Sequence, residues 1–112
     1  MFNNDIPIYL QLAEKIKIDI FSGKLKSGDK LSSVRELALR YQVNPNTIQR
    51  ALSELESTEL IYTDRTNGKY VTDDDKLIAK YRKLYAKEIT KEYRAKMKEI
   101  GFSIKEEKWP SS

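Results

Sequence analysis

Amide, hydroxyl and guanidinium side chains share one face of the segment 44–57, whose apolar residues have the spacing of an amphipathic helix. Asn46, Gln49 and Arg50 lie on this face, opposite the apolar one. Asparagine and glutamine amides pair with adenine edges, whereas arginine binds guanine edges or phosphates. The chemistry open to these residues is therefore hydrogen bonding to the bases and backbone of a nucleic acid.

The residue inventory excludes several kinds of catalysis. The chain contains no cysteine and no histidine, which removes disulfides, thiolate nucleophiles, serine–histidine relays and the corresponding metal sites. Carboxylate chemistry remains, and its candidates are Glu54 with Glu56, and the run from Asp73 to Asp75. Neither group lies in a recognisable apolar pocket, which acid–base catalysis favours. We therefore expect no enzymatic activity, no metal and no cofactor.

Length and charge limit the class of protein further. The 112 residues suffice for one small domain with an appendage, and the net charge of +4 is a mild indication of a polyanionic partner. Lys and Arg exceed Asp and Glu by 10 to 9 in residues 1–71 and by 11 to 8 in residues 72–112. No apolar run approaches the ~20 residues that cross a bilayer. We expect a cytoplasmic protein with no membrane partner.

The polar face needs a scaffold, and its first part is a helix predicted over 6–22. Asp5 is the expected N-cap, with Pro7 in the first turn, and Gly23 is placed to end the helix in a left-handed conformation. Residues 25–29 are predicted to form a loop. The apolar stripe of the helix consists of Ile8, Leu12, Ile16 and Ile20.

Two further helices follow in quick succession. An S-x-x-E capping box that starts at Ser33 predicts a helix over 33–41. After a tight turn, Asn44 supplies an N-cap and Pro45 a first helical residue for a helix over 45–57. Two helices joined by so short a turn are typical of a helix-turn-helix. An ordinary helical hairpin is the alternative that this pattern alone leaves open.

A β-hairpin is predicted next. Residues 60–63 and 70–72 are rich in β-branched and aromatic side chains, and an Asn-Gly pair lies between them. Such a hairpin after a helix-turn-helix makes a winged helix. Arg65 and Lys69 lie on either side of Gly68, where bare backbone can approach a groove closely. The alternative is a plain hairpin with solvated basic residues at its tip.

The remaining segment predicts a long helix from the aspartates near residue 73 to Gly101, about 27 residues with one apolar stripe. A stripe this long indicates helix association between chains, although the tyrosines alone would also suit base stacking. We expect a winged domain at 1–72 and a helical dimerisation tail at 73–112. The predicted interface residues are Leu77, Tyr81, Leu84, Tyr85, Ile89, Tyr93, Met97 and Trp109.

Three motifs resemble a known family. They are K-L-S-S-V-R-E-L-A at 30–38, V-N-P-N-T-I-Q-R-A at 43–51 and N-G-K-Y-V at 67–71. Together they closely resemble the N-terminal domain of GntR-family bacterial transcription regulators. The N-P-N-T turn and the short tail look most like the YtrA-type subfamily. The resemblance covers about residues 6–72, with weaker similarity across the tail.

The resemblance implies a dimeric winged helix-turn-helix that represses transcription from a palindromic operator in double-stranded DNA. Gln49, Arg65 and Lys69 join the predicted site from the helix face and the wing. Ser32 stands where the family has proline, and Lys69 replaces a small wing residue, adding a positive charge that we expect to meet a DNA phosphate. The positions that match the family's DNA contacts are Arg35, Asn44, Asn46, Thr47, Arg50 and Gly68.

The sequence as a whole predicts a mainly α fold with a small β-hairpin, a winged helix-turn-helix followed by a C-terminal helical dimerisation tail. The tail is too short for the effector domain of the larger relatives, so no small-molecule effector is assigned. The short-tailed subfamily is associated with genes for ABC transporters, which is the expected context. The rival hypothesis is a winged helix that binds only proteins, and the polar face at Asn46, Gln49 and Arg50 argues against it.

Overall fold

The fold consists of helices and one small β-hairpin. The structure, a computed structural model, describes residues 5–102. Three helices followed by a hairpin form a winged helix-turn-helix, so the predicted fold class is confirmed. The elements in chain order are α1 (Ile8–Ser22), α2 (Val34–Tyr41), α3 (Pro45–Ser57), β1 (Ile61–Asp64), β2 (Gly68–Val71) and α4 (Asp75–Glu99).

The start of α1 differs from the prediction. Pro7 is the N-cap residue, with φ −53° and ψ 139°, and its own side chain makes no capping hydrogen bond. The prediction that Asp5 is the N-cap is wrong. The N-cap lies two residues later, because Pro7 has an extended ψ and the first helical residue is Ile8. At the other end, Gly23 adopts the predicted left-handed conformation at φ 84° and donates its N–H to the carbonyl of Ile20.

The turn between α2 and α3 is fixed by local caps. Ser33 and Glu36 form the predicted capping box, with the Ser33 Oγ accepting from the Glu36 N–H at 3.1 Å and Glu36 Oε1 from the Ser33 N–H at 2.9 Å. Gln42 ends α2 in a left-handed conformation at φ 57°. Asn44 then caps α3, and Pro45 is its first residue. These caps set the direction of α3 within a connection of three residues.

The core lies between α1, α2 and α3 and extends under the hairpin. Contacts join α3 to α1, to α2 and to β1. Complete burial of an aliphatic side chain contributes about 1.5–3 kcal/mol, so this cluster supplies most of the stability of a small domain. Its fully buried members are Leu12, Ile48, Leu52, Leu55, Leu60, Ile61 and Val71.

The hairpin carries an additional pairing that the sequence did not predict. β1 and β2 are antiparallel, with Ile61 opposite Val71 and Asp64 opposite Gly68. The segment before α2 pairs with the other edge of β2, where the Leu31 N–H donates to the Lys69 carbonyl at 2.8 Å. The predicted loop over 25–29 therefore leads directly into a second, short pairing that holds the wing against the helices.

α4 is one continuous helix of 25 residues, about 37 Å long at the standard rise. The Asp74 carboxylate accepts a hydrogen bond from the Leu77 N–H at 3.1 Å, so one of the aspartates near residue 73 caps this helix. Gly101 follows the helix at φ 93°. The chain divides into two compact units between Ala79 and Lys80. Over residues 5–102, no helix is long and apolar enough to cross a membrane.

Candidate nucleic-acid interface

The exposed face of α3 is polar along its whole length. Asn46, Gln49 and Arg50 are exposed, and Thr47 is half-buried at the edge of the face. On the opposite side, Ile48, Ala51, Leu52 and Leu55 are at most 1% exposed. The division into two faces that the sequence predicted is therefore present. The polar side chains are free to meet a ligand without any change in the core.

The first turn of α3 combines capping with the polar face. Asn44 is exposed, and its Oδ1 accepts a hydrogen bond from the Asn46 N–H at 2.7 Å. This bond fixes the Asn44 side chain and leaves its amide N–H₂ group to donate outward. Since the N-terminus of a helix also carries a partial positive charge, the beginning of α3 favours an anionic neighbour such as a phosphate.

Arg50 contacts Tyr9, a residue that the sequence pattern does not mark as part of the site. Its guanidinium lies over the ring of Tyr9, 4.1 Å from the ring centroid. A cleft of about 330 Å³ surrounds this pair and is lined by Tyr9, Gln49, Arg50, Ser53 and Glu54. α1 thus contributes to the polar face through an aromatic side chain. Tyr9 adjoins the apolar stripe in the sequence, but nothing in the local pattern distinguishes it from a core residue.

α2 contributes Arg35, whose side chain is exposed. The preceding segment explains how the chain tolerates Ser32 in place of proline. Arg40 Nη2 donates a hydrogen bond to the Ser32 Oγ at 3.0 Å, which ties the segment to the last turn of α2. The capping bonds from Ser33 lower the pKa of the Glu36 carboxyl below its ordinary value. Hydrogen bonds to Ser32 and Ser33 therefore hold the start of α2 without the proline.

The tip of the wing is organised by Asp64. Its carboxylate accepts hydrogen bonds from the Thr66 N–H at 3.0 Å, from the Thr66 hydroxyl at 2.9 Å and from the Asn67 amide at 3.3 Å. These bonds, the first above all, lower the pKa of Asp64. Arg65 is exposed at the tip. Gly68 has φ 112°, and an added Cβ would lie 3.4 Å from the Lys30 side chain, so a glycine suits this position.

Lys69 lies in a different environment from the one that the sequence suggested. Its ammonium forms a salt bridge with Glu56 of α3. It also donates to the Thr63 Oγ1 at 2.8 Å. A lysine free to meet a phosphate was expected, whereas the structure directs this ammonium onto the protein itself. The reason is tertiary: β2 places Lys69 beside the last turn of α3, a proximity that sequence separation conceals.

Most of the predicted interface residues lie on α4, and none of the described residues of this helix is fully buried. Leu84 and Ile89 are each 49% exposed and Tyr93 is 47% exposed. Leu77, Tyr81, Tyr85 and Met97 are half-buried. Trp109 lies outside the described residues. The stripe therefore presents a partly covered apolar surface over most of the helix.

A helix-turn-helix followed by a β-hairpin, with a polar face exposed on the second of its helices, is the architecture of the winged helix-turn-helix class of DNA-binding proteins. The model of the GntR family of bacterial regulatory proteins matches residues 8–71. The chain belongs to the GntR family of bacterial transcription regulators, and the resemblance of its motifs is confirmed. It is a DNA-binding transcription regulator and not an enzyme.

Two curated relatives from Bacillus subtilis show this membership in detail. The chain is 38% identical over 105 residues to the uncharacterized HTH-type transcriptional regulator YhcF. The aligned residues make up 94% of this chain and 87% of YhcF. It is 44% identical over 70 residues to the HTH-type transcriptional repressor YtrA. The aligned residues make up 62% of this chain and 54% of YtrA. The similarity to YhcF extends beyond the wing into the tail.

Solved structures agree with the fold. A GntR family transcriptional regulator from Listeria monocytogenes has a TM-score of 0.83 and 46% identity, covering 89% of this chain and 88% of that chain. The DNA-binding domain of AraR in complex with operator ORR3 has a TM-score of 0.58 and 31% identity, covering 60% of this chain and 81% of that chain. The second of these is a DNA-binding domain in complex with an operator.

Proposed function

We propose that the protein is a homodimeric repressor that binds a palindromic operator through α3 and the wing. The observation that carries the proposal is the exposed face of α3, where Asn46, Gln49 and Arg50 lie opposite a fully buried apolar face. Such a helix can enter the major groove with its core contacts intact. The structure of AraR with an operator supports the same use of the domain.

Individual roles follow from side-chain chemistry. Asn46, Thr47 and Gln49 read base edges in the major groove, since amides pair with adenine and hydroxyls pair with several bases. Arg50 binds a guanine edge or a phosphate from its place over Tyr9. Asn44 donates its free amide group to the DNA backbone at the start of α3.

The two flanking elements position the protein on the DNA backbone. Arg35, exposed on α2, reaches a phosphate or a guanine edge. Arg65 contacts the backbone from the wing tip, and Gly68 allows the wing to approach it closely. These contacts set orientation and add affinity, whereas α3 supplies most of the sequence preference.

The tail at 73–112 is the proposed dimerisation element, joined to a DNA-binding domain at 1–72. Three apolar residues of α4, Leu84, Ile89 and Tyr93, remain about half exposed. A stripe of this length is stabilised by a self-complementary contact, and a two-fold dimer is the commonest form of such a contact. A second copy of the chain supplies the same stripe. The dimer presents two α3 helices to a two-fold operator, with half-sites about 34 Å apart.

The biological role follows from relatives. YtrA is a transcriptional repressor, and repression by operator occupancy is the role we assign to this chain in the cytoplasm. The short-tailed subfamily suggests transporter genes as its targets. A gel shift with the DNA upstream of its own gene tests the proposal. We expect one retarded species that resists competition by random duplex. Equal affinity for all duplexes would contradict sequence-specific repression.

A further inference from the structure

Lys69, Glu56 and Thr63 join three elements through a closed ring of polar contacts. Lys69 on β2 forms a salt bridge with Glu56 on α3 and donates a hydrogen bond to the Thr63 Oγ1 at 2.8 Å. The Thr63 hydroxyl in turn donates to the Glu56 Oε2 at 3.1 Å. Thr63 lies on β1 directly opposite Lys69. Both strands of the wing are therefore tied to the penultimate residue of α3.

This ring neutralises the ammonium of Lys69. The side chain of Lys69 is 26% exposed and that of Glu56 is 34% exposed, so the pair is partly shielded from water. An ion pair in such a place brings no net positive charge to the DNA. In contrast, Arg65 at the wing tip is exposed and keeps its charge at the surface. The two basic residues of the wing thus have different environments.

The wing depends on attachments to the rest of the domain. Its two strands have four residues each, and a hairpin this short is marginal without packing against another element. On the outer edge of β2, the Lys69 carbonyl already accepts a backbone bond from Leu31. The side chains of Ile61 and Val71 are also buried in the core. The side-chain ring adds a further attachment, at the end of α3, and restricts the angle between the wing and the DNA-reading helix.

We propose that Lys69 is a positioning residue of the DNA-binding site, which fixes the wing to α3 through Glu56 and makes no phosphate contact. The proposal rests on the proposed function, because it assigns a role within the same DNA interface. A fixed wing meets the DNA backbone without losing freedom on binding, which increases affinity. Glu56 has a second role. Its carboxylate neutralises the Lys69 ammonium, which would otherwise attract a duplex of any sequence.

The charge-neutral double variant Lys69→Met with Glu56→Gln tests the proposal in the full chain. It removes the ion pair but leaves the net charge unchanged. We expect a specific affinity about two- to tenfold weaker, the effect of a lost local tie, and an unchanged slope of log K against log salt. A slope smaller by about 0.9 would show that Lys69 had neutralised a phosphate, and would overturn the proposal. Unchanged affinity with an unchanged slope would overturn it as well.

The single variant Glu56→Gln should change the affinity for random DNA in the opposite direction, upward. It frees the ammonium of Lys69, so we expect tighter binding to random duplex and a salt slope steeper by about 0.9. Glu59→Gln is the matched control, because it removes the same charge from an exposed residue three positions along the chain. Equal effects of the two substitutions would show that only overall charge matters, and would contradict the pairing of Lys69 with Glu56.

Amide hydrogen exchange without DNA separates this inference from the proposed function. In the double variant, we expect faster exchange for Tyr70 and Val71 on β2 and unchanged protection for Ile16 in α1. Unchanged exchange on β2 would contradict the tie even if the wild-type protein binds its operator. If the wild-type protein shows no preference for any duplex, repression from an operator fails as a proposal, while the exchange result still decides whether the wing is anchored.

Discussion

The guanidinium of Arg50 lies 4.1 Å from the centroid of the Tyr9 ring, joining α1 to α3, the helix that we propose reads DNA. The arginine side chain has many rotamers, and a cation–π contact selects among them. The contact therefore favours this orientation of Arg50 in the free protein. α1 acts in this way as a support for the recognition surface as well as a core helix.

Substitutions of Tyr9 test whether its contact with Arg50 contributes to DNA affinity independently of folding. Tyr9→Leu removes the aromatic face, and we expect specific DNA affinity to fall by about 0.5–1 kcal/mol, or two- to fivefold in Kd. Tyr9→Phe keeps the face and should bind as the wild type does. Fluorescence anisotropy with a labelled operator measures both. If Tyr9→Leu binds more tightly than the wild type, Arg50 must leave Tyr9 to reach DNA.

Substitutions on α3 test base reading directly. Asn46→Ala and Arg50→Ala should each weaken specific binding by about 1–3 kcal/mol if each side chain makes a bidentate contact. Thermal melting should change little, since both residues are exposed. Unfolding of both variants would show that the polar face had been misassigned. Normal folding with normal binding would contradict the contacts instead.

Local signals account for the parts of the fold that sequence reasoning predicted. The capping box at Ser33 and the Asn44-Pro45 start of α3 depend on hydrogen bonds within a few residues, and both are present. Asp5 shows the limit of such signals, because the conformation of Pro7 decided where α1 begins. Helix and hairpin order were therefore predictable, whereas this boundary depended on competition between two neighbouring residues.

Non-local contacts account for what the sequence did not show. The pairing of Leu31 with the Lys69 carbonyl joins segments nearly forty positions apart. Tyr9 reaches Arg50 only because α1 packs on α3. Glu56 of α3 reaches Lys69 only because the wing folds back beside this helix. The polar face of α3 could be predicted from periodicity. Which of its charges are held by protein partners could not, because that depends on tertiary distances.

A charge within the apolar stripe of α4 tests the dimer. Ile89→Glu places a carboxylate on a position that is 49% exposed in the single chain and buried in the proposed dimer. Burying an unpaired charge is costly, so we expect a monomer by sedimentation velocity and a sharp loss of operator affinity. Lys87→Glu, on an exposed position nearby, is the control and should remain dimeric. A dimeric Ile89→Glu protein would place the interface elsewhere.

Acid should loosen the wing tip. Hydrogen bonds from Thr66 and Asn67 hold the pKa of Asp64 below its ordinary value of 3.8. A carboxylate whose pKa is lowered in the folded state stabilises the fold at pH values above its ordinary pKa. That contribution is lost as the pH falls through the folded-state pKa. We expect the amide resonances of Thr66 and Asn67 to shift below pH 3.8 in the wild type. Asp64→Asn should abolish this titration, and its persistence in that variant would assign it to another group.

Hydroxyl-radical footprinting of the full-length protein on its own upstream DNA is the most direct test of a homodimer that reads a two-fold operator through α3. We expect two protected half-sites related by a two-fold axis, with centres about one helical turn, ~34 Å, apart. Protection should disappear from both half-sites together as protein is diluted. A single asymmetric half-site occupied by one chain would contradict the homodimer on a palindromic operator.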